Sequence, residues 1–398
     1  MVLRKNGSDR TYGTYETYGT YKTHKTHKTY KTYKTHKTHK THFPMKLTFI
    51  LPMYLDVPSG GFKVVYEYAN RLQARGHRVT LIHPRTIART RGAGEWFRRI
   101  AWPHKLRWRD RPLVPWFPLD REIDVRLAPD LGAASIPPAD AIFATAWETA
   151  FPVSEYPADR GRKFYLIQSY ETWSGPEERV RASWRLPMRR IVVSRALLSV
   201  ARELGVEAGT AYIPIALDGA QFGVTTPIEA RPALRVGMVA HPAEAKGMRD
   251  GLAALELARA EIPALEATLF GTMPRDASIP AWISYLQRPT VAQMAALHNS
   301  CRVFLHPSWS EGWGLPAAEA MACGCALVSA DNGGVHEFAE DGASALIAPI
   351  KSPAELARRI VRLLRDDGLR VRIAGAGAAG VRRFTWERAV ERLEEELQ

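Results

Sequence analysis

Two glutamates with seven residues between them stand in the segment 308-SWSEGWGLPAAEAMACG-324. The glycines that follow Glu311 allow close backbone approach and unusual φ angles, and Pro316 suits the first position of a helix. A helix that begins there presents free backbone N–H groups, which bind anions such as phosphate. Glu311 then lies in the loop, and Glu319 lies one turn into the helix.

Glu311 and Glu319 do not share one helix face, so they are poorly placed to pair with each other. Carboxylates accept hydrogen bonds from sugar hydroxyls, so the two glutamates can instead hold two ends of one extended ligand. The other interpretation is a loop glutamate plus a first-turn glutamate favoured by the helix dipole. Spacing alone leaves both interpretations open.

The elements around this segment alternate between strands, glycine turns and helices. Apolar strands are predicted in a first series at 47–52, 78–84, 140–145, 163–168 and 190–194. A second series has strands at 234–240, 265–271, 302–308 and 325–331, with helices near 247–260, 291–299 and 316–323. Two such series predict an α/β protein with two doubly wound, Rossmann-like domains that face each other across a cleft. Ligands of such sheets bind outside the carboxyl ends of the strands, and Glu311 follows one of those ends.

Composition and the pattern of predicted strands and helices divide the chain into four parts, which are residues 1–44, 45–215, 216–384 and 385–398. The first part is a low-complexity Thr/Lys/His/Tyr tail that we expect to be disordered, although its histidines also allow a metal-binding interpretation. Met45 directly precedes the first strand, so we expect a reading frame extended upstream of a natural start at Met45. The last part is predicted to be helical.

The net charge of +14 is concentrated in the tail. Residues 1–44 carry ten Lys or Arg and two acidic residues, which leaves +6 for the remainder. Such a balance gives no strong nucleic-acid signal. The three cysteines form no disulfide framework, and no apolar run approaches the roughly 18–20 residues of a membrane helix. We therefore expect a cytoplasmic protein.

The longer segment 306-HPSWSEGWGLPAAEAMACGCALVSADNGGVHEF-338 resembles the E-x7-E region of retaining glycosyltransferases of family 4, the group 1 glycosyl transferases. The resemblance extends from Met45 to the C-terminus and is looser in the first half. It implies the GT-B fold, with 45–215 as acceptor domain, 216–384 as nucleotide-sugar donor domain, and a C-terminal helix that crosses back to the first domain.

The resemblance also implies a role for individual residues. Glu311 would contact donor-sugar hydroxyls, Glu319 would bind the ribose, and Lys246 would neutralise the diphosphate leaving group. The family's glycine loop after the first strand, here Gly60 and Gly61, would line the cleft near the phosphates and the acceptor. The backbone along the sugar and diphosphate would be that of Gly312, Trp313, Gly314 and Leu315.

Three positions depart from the family pattern. Met238 stands where a Gly-Arg pair usually precedes the lysine, so we expect His241 or an arginine from elsewhere to supply the second cation. The usual interdomain Pro-Asn-Gly-x-Asp is 214-PIALD-218 here. The first-domain histidine that many relatives place near the reacting sugar is replaced by Trp147 and Glu148.

The implied activity is transfer of a hexosyl-type sugar from a nucleoside-diphosphate sugar to an acceptor hydroxyl, with retention and without a protein nucleophile. The resemblance implies no metal, and the chain lacks an Asp-x-Asp. The glycine loop lacks the spacing of dinucleotide binders, so no nicotinamide or flavin cofactor is inferred. Expected partners are the nucleotide sugar and a glycan or lipid-linked acceptor of the cell envelope.

Other functions remain open. A catalytically silent nucleotide-sugar binder or a nucleotide-sugar epimerase would share the fold. A glycoside phosphorylase would need a lysine that binds pyridoxal phosphate, and the sequence gives no indication of one. A glycosidase would use two carboxylates but would not need a nearby anion site.

The stretch 96–117 interleaves arginines and lysines with tryptophan and phenylalanine. Basic and aromatic side chains together suit an anionic lipid surface. Contact with the inner face of the plasma membrane is therefore one interpretation, and a partly packed loop with a solvated arginine face is the other. The same composition suits nucleic acid, but the predicted fold argues against it.

Overall fold

A computed structural model describes residues 43–85, 114–231 and 234–398. The predicted tail, except for residues 43 and 44, lies outside the described residues, as does most of the basic and aromatic stretch 96–117. The described residues form two parallel β-sheets, one of seven strands and one of six.

The first sheet comprises β1 (Lys46–Ile50), β2 (Arg78–Pro84), β3 (Asp124–Ala128), β4 (Ala141–Ala144), β5 (Arg162–Ile167), β6 (Arg189–Val192) and β7 (Thr210–Tyr212). Its spatial order is β3-β2-β1-β4-β5-β6-β7. The helices of this half are α1 (Gly60–Ala74), α2 (Trp147–Glu155), α3 (Glu177–Trp184) and α4 (Arg195–Glu203).

The second sheet comprises β8 (Arg235–Val239), β9 (Glu266–Gly271), β10 (Ser284–Gln287), β11 (Val303–His306), β12 (Ala326–Ala330) and β13 (Ala345–Ala348), in the order β10-β9-β8-β11-β12-β13. Its helices are α5 (Met248–Glu261), α6 (Val291–Ser300), α7 (Leu315–Ala322), α8 (Pro353–Arg365) and α9 (Asp367–Val381). The last helix is α10 (Trp386–Glu396).

Both sheets reverse their winding direction at the centre, between β1 and β4 in the first and between β8 and β11 in the second. The central strands are apolar on both faces because helices cover both sides. Leu47, Phe49 and Ile50 of β1, for example, are all fully buried. The prediction of two doubly wound sheets is confirmed, and each has its ligand-binding edge at the reversal point.

The four strands that the sequence did not predict, β3, β7, β10 and β13, are the outer strands of the two sheets. They have three to five residues each. Edge strands are covered on fewer sides and are kept short, so they lack the long apolar runs that mark central strands. β7 ends at Tyr212 and β8 begins at Arg235, so the predicted boundary at 215/216 falls between the sheets. The domain boundaries themselves stay predictions.

The C-terminal helix crosses back to the first half, as predicted. Trp386 of α10 packs edge-on against Tyr68 of α1, with ring centroids 5.1 Å apart. The buried Glu394 accepts two hydrogen bonds from Arg75, at 2.8 and 2.7 Å, and lies 3.2 Å from the ring of His77. The last helix therefore links the end of the second half to the start of the first.

Candidate functional site

The loop after β11 carries Glu311 and is tied to the end of β12. Glu311 donates its backbone N–H to the carbonyl oxygen of Asn332 at 3.0 Å and forms a β-bridge with Gly333. Its side chain is 13% exposed. Glu311 thus lies at the carboxyl edge of the second sheet, beside the point where the strand order reverses.

Lys246 reaches the same carboxylate from the loop after β8. Its ammonium nitrogen lies 2.8 and 2.9 Å from the two carboxylate oxygens of Glu311. Lys246 ends a short 3₁₀ turn, and Gly247 follows with φ of +64°. A Cβ at Gly247 would collide with the carbonyl oxygen of Pro307. Glycine therefore lets the β8 loop lie against the β11 loop, which brings the lysine onto the glutamate.

The charges of this pair are set by its surroundings. Burial by itself would raise the pKa of Glu311, but the ammonium of Lys246 and the ring of His306 lower it, and the result lies below the ordinary value. Burial lowers the pKa of His306 to about 4, although its Nε2 lies 3.3 Å from Glu311. At neutral pH the site therefore holds a carboxylate–ammonium pair beside a neutral imidazole.

His241 lies in the same loop as Lys246. Its Nδ1 accepts the backbone N–H of Ala243 at 3.1 Å. Burial and the charge of Lys246 lower the pKa of His241, against a smaller opposite effect of Glu311. The ring is therefore favoured in its neutral form, which can donate or accept a hydrogen bond but carries no charge.

Trp309 braces the lysine loop. Its backbone N–H donates to the carbonyl oxygen of Ala245 at 2.8 Å, and its indole N–H donates to Asp250 at 2.7 Å. The ammonium of Lys351 lies 4.3 Å from its ring centre. Since Asp250 belongs to the first turn of α5, the indole fixes the β11 loop against the start of that helix.

The glycine-rich run leads into α7 as the sequence predicted. Gly314 is the N-cap with φ of +103°, and no side chain caps the helix start. Trp313 is buried and packs on Phe338 and Phe384 at ring distances of 5.0 and 5.4 Å. The Trp313 side chain therefore belongs to the core, which leaves its backbone as the candidate donor contact.

Glu319, in α7, receives a lysine from the other sheet. The ammonium of Lys63, in the first turn of α1, lies 2.6 Å from the Glu319 carboxylate. The Glu319 side chain is 6% exposed and the Lys63 side chain 19%. The same ammonium lies 5.0 Å from the centre of the Phe222 ring. The two halves of the chain thus meet at the second glutamate of the motif.

Gln168, directly after β5, joins the two glycine segments. Its side-chain amide donates to the carbonyl oxygen of Gly61 at 3.0 Å. A Cβ at Gly312 would collide with the carbonyl oxygen of Gln168. Because Gly312 has no side chain, the main chain of Gln168 in the first half can approach it closely. Gly60 and Gly61 begin α1 and Leu315 begins α7. Their predicted ligand contacts stay predictions.

The sequence singled out neither Lys63, Gln168 nor His306. Lys63 lies two residues after the glycine pair, and a single lysine at a helix start is ordinarily a solvated charge. Gln168 and His306 each end a buried strand of a parallel sheet, which was the available signal. Their partners are 107 and 5 residues away, so only the fold identifies which contacts form.

The first sheet has its own buried carboxyl groups at its carboxyl edge. Glu148, one of the residues that replaces the family's histidine, is buried at the start of α2. Glu171 accepts the backbone N–H of Trp147 at 2.9 Å. The pKa of Glu171 is raised to about 8, mainly by burial; the hydrogen bond from Trp147 lowers it and the nearby Glu148 charge raises it by smaller amounts. Glu171 is therefore largely protonated at neutral pH.

The structure also shows where Met238 and Asp218, at the other two departures from the family pattern, lie. Met238 is fully buried beneath α5, where its sulfur faces Gly251. It therefore contributes to the core rather than to a charged site. Asp218 accepts the backbone N–H of Ala220 at 2.9 Å and lies 3.8 Å from Arg71.

Comparison with known proteins places a family match in the second half of the chain. Residues 232–366, from β8 through α8, match the family model described as Glycosyl transferases group 1. The match covers about a third of the chain, and that segment is similar to a group 1 glycosyl transferase domain. The chain is 36% identical over 100 residues to a D-inositol 3-phosphate glycosyltransferase of Streptomyces bingchenggensis, which covers 25% of this chain and 22% of that protein.

A longer match reaches into the first half of the chain. It is 28% identical over 274 residues to the O-antigen biosynthesis protein RfbC of Myxococcus xanthus, covering 65% of this chain and 21% of that protein. The chain thus spans about a fifth of the length of each of these two relatives.

Among solved structures, HepE of Anabaena in complex with UDP-glucose superposes with a TM-score of 0.67 and 18% identity. The superposition covers 89% of this chain and 99% of that one. At this identity the likeness establishes the fold alone. The protein has the GT-B fold, as the resemblance implied.

Within 43–85, 114–231 and 234–398, no group of three His, Cys, Asp or Glu side chains is arranged to hold a metal ion. None of the helices formed by those residues is both long and apolar enough to cross a membrane.

Proposed function

We propose that the protein is a retaining glycosyltransferase of family 4, which transfers a hexosyl-type sugar from a nucleoside-diphosphate sugar to an acceptor hydroxyl. The observation that carries the proposal is the Lys246–Glu311 pair, held at the carboxyl edge of the sheet within the segment that matches the group 1 family. The HepE complex with UDP-glucose supports the class of donor.

In the proposed reaction the acceptor oxygen bonds to the anomeric carbon on the face from which the nucleoside diphosphate departs. The bond between that carbon and the phosphate oxygen breaks, and the diphosphate leaves with the electron pair. The departing phosphate oxygen takes the acceptor's proton. The protein therefore needs no nucleophile, and its main task is to stabilise the negative charge that grows on the diphosphate.

Lys246 is the proposed source of that stabilisation. Its ammonium is paired with Glu311, which would accept hydrogen bonds from the donor sugar while Glu319 binds the ribose. The backbone from Gly312 to Leu315 would lie along the sugar and diphosphate, and His241 would add a neutral hydrogen-bonding group. Exclusion of water between the two sheets would strengthen the electrostatic interactions of these groups with the donor.

Lys246→Met should lower kcat on the order of 100-fold, by analogy with the loss of one donor to a developing anion. Glu311→Gln should also lower activity, since it removes the charge that positions the ammonium. Lys163→Met is a matched control, because Lys163 lies in β5 and donates at 2.8 Å to the backbone carbonyl of Ser154 in α2. Equal activity of Lys246→Met and wild-type protein would contradict the proposed role.

The donor is found by measuring the thermal stability of the protein with UDP-, GDP- and dTDP-sugars. A donor that stabilises the protein is then supplied with candidate acceptors, and the anomeric configuration of the product is read by NMR. We expect retention. An inverted product would exclude this mechanism, and the absence of stabilisation by every nucleotide sugar would exclude the proposed donor class.

The reaction is proposed to need neither a metal ion nor an organic cofactor. Activity should therefore persist after treatment with EDTA and gel filtration. Loss of activity that returns on adding Mg²⁺ or Mn²⁺ would overturn this part of the proposal.

The acceptor is proposed to be a glycan or lipid-linked sugar in envelope or other glycan synthesis, a class supported by the name of the O-antigen relative. We also propose a cytoplasmic protein that contacts an anionic membrane surface through residues 96–117. Of this stretch, residues 114–117 are described, and Trp116 and Phe117 among them pack on Tyr66. Binding to acidic liposomes should fall when Trp96, Trp102 and the flanking arginines are changed, and unchanged binding would remove the membrane contact.

A second candidate is a catalytically silent nucleotide-sugar binder. It is favoured by the burial of Met238 where the family carries an arginine, and by Trp147 and Glu148 where many relatives carry a histidine. Tight donor binding without transfer or hydrolysis, for every acceptor tried, would select it.

A further inference from the structure

The donor segment of the proposed site offers one lysine for a ligand that carries a diphosphate. The position of the family's second cation holds Met238, which is buried in the core. His241 lies close by, but burial and the charge of Lys246 lower its pKa and favour a neutral ring. A second positive charge therefore has to come from another part of the fold.

Lys63 brings such a charge from the opposite sheet. It lies in the first turn of α1, two residues after Gly61, and its ammonium is 2.6 Å from the carboxylate of Glu319. Glu319 is in turn part of the first turns of α7, which begins at the glycine run. The lysine therefore stands between the starts of two helices, where N-terminal N–H groups also favour an anion.

The surroundings hold Lys63 in the cleft. Gln168 links Gly61 to the main chain at Gly312, so the turn that carries Lys63 is pressed against the donor segment. Phe222 lies under the ammonium at 5.0 Å. With its side chain only 19% exposed, Lys63 is more confined than a solvated surface lysine.

We propose that Lys63 is the second diphosphate-binding cation of the donor site, supplied across the cleft by the first half of the chain. This inference rests on the proposed function. An ammonium has three N–H donors, so it can keep one hydrogen bond to Glu319 and give others to a phosphate oxygen. When the ribose hydroxyls donate to Glu319, the lysine charge becomes available to the diphosphate.

In this arrangement the binding of the donor is coupled to closure of the cleft. Lys63 and Lys246 belong to different sheets, so a diphosphate held by both would bridge the two halves. A ligand without phosphates would reach only Glu319 and would gain nothing from Lys63. This difference separates a diphosphate-binding role from a merely structural ion pair.

The test compares Lys63→Met with wild-type protein by isothermal titration with UDP, GDP and dTDP and with their nucleosides uridine, guanosine and thymidine. We expect Lys63→Met to weaken binding of the preferred diphosphate about tenfold or more, as for loss of a charge-assisted contact. Binding of the matching nucleoside should stay the same or become tighter, because Glu319 loses a competitor. Lys63→Arg should restore part of the diphosphate affinity, and Lys163→Met should behave as wild type.

Equal affinity of Lys63→Met and wild type for the diphosphate would overturn the inference. A parallel loss of diphosphate and nucleoside affinity would also overturn it, since Lys63 would then only position Glu319. If the wild-type protein binds none of these nucleotides, the proposed function itself fails. Far-ultraviolet circular dichroism and thermal melting of each variant establish that the compared proteins are folded.

Discussion

At the scale of single residues, the two glutamates of the E-x7-E segment each accept an ammonium. Glu311 receives Lys246 from the neighbouring loop of its own sheet, and Glu319 receives Lys63 from the other sheet. Within each pair the carboxylate and the ammonium balance in charge, which offsets part of the cost of their partial burial. A ligand with hydroxyls for the carboxylates and phosphates for the ammonium groups would match all four.

His298 is one of the buried histidines that make stability depend on pH in the acid range. It is fully buried against Phe270 and Phe304, and neither ring nitrogen has a hydrogen-bond partner among the described residues. Burial, and secondarily the charge of Arg231, lowers its pKa to about 3. Because the unfolded chain binds a proton more readily than the folded protein between pH 6.5 and about 3, stability should fall as the pH drops through that range.

His298→Leu should make the free energy of unfolding less dependent on pH in this window. The effect is at most about 1.4 kcal/mol per pH unit for one histidine. Urea unfolding at pH 7 and pH 5 measures it, with the half-exposed His336 changed to Gln as control. If His298→Leu keeps the same pH slope as wild type, the buried neutral ring is not its cause.

At the scale of elements, α10 connects two halves that are otherwise separate in sequence. Glu394 is almost fully buried between Arg75 and His77, and Trp386 packs on Tyr68. Removing one member of a buried ion pair leaves the other charge unpaired, which costs more than the pair contributed.

Glu394→Ala should therefore lower the free energy of unfolding by about 3 kcal/mol, the lower end for such pairs because Arg75 is partly exposed. Chemical denaturation monitored by circular dichroism gives this value. Glu177→Ala, which breaks an exposed pair with Arg181 in α3, should have little effect. A similar loss of unfolding free energy in both variants would show that the contact of α10 with α1 stabilises the protein no more than an exposed ion pair does.

At the scale of the whole molecule, close approach of the two sheets depends on a position without a side chain. The main chain of Gln168 occupies the space where a Cβ of Gly312 would lie. Because the added Cβ would meet the backbone carbonyl of Gln168, no side-chain rotation can relieve the collision. Gly312→Ala should thus keep the halves apart while each half remains folded.

We expect Gly312→Ala to lower turnover at least about tenfold, as a misplacement on the order of 1 Å does elsewhere. Small-angle scattering should show a larger radius of gyration than for wild type. Gly375→Ala, in α9 with no atom near the added methyl, serves as the control. Wild-type turnover in Gly312→Ala would mean that this approach of the two halves is not needed for activity.

The sequence by itself determined the parts that depend on local pattern. Continuous apolar runs marked the central strands, and the glycine run with Pro316 marked the start of α7, because these signals need only neighbouring residues. The position of Glu311 at a strand end followed from the same reasoning. The short edge strands escaped prediction since they lack a long apolar run.

Tertiary structure alone decided which charges meet. Lys63 and Glu319 are 256 residues apart, and Lys246 and Glu311 are 65 apart, so no local spacing relates them. Their pairing depends on how two sheets are wound and how closely Gly247, Gly312 and Gln168 let the loops approach. The burial that favours a neutral ring at His241 and His306 likewise exists only once the loops are packed.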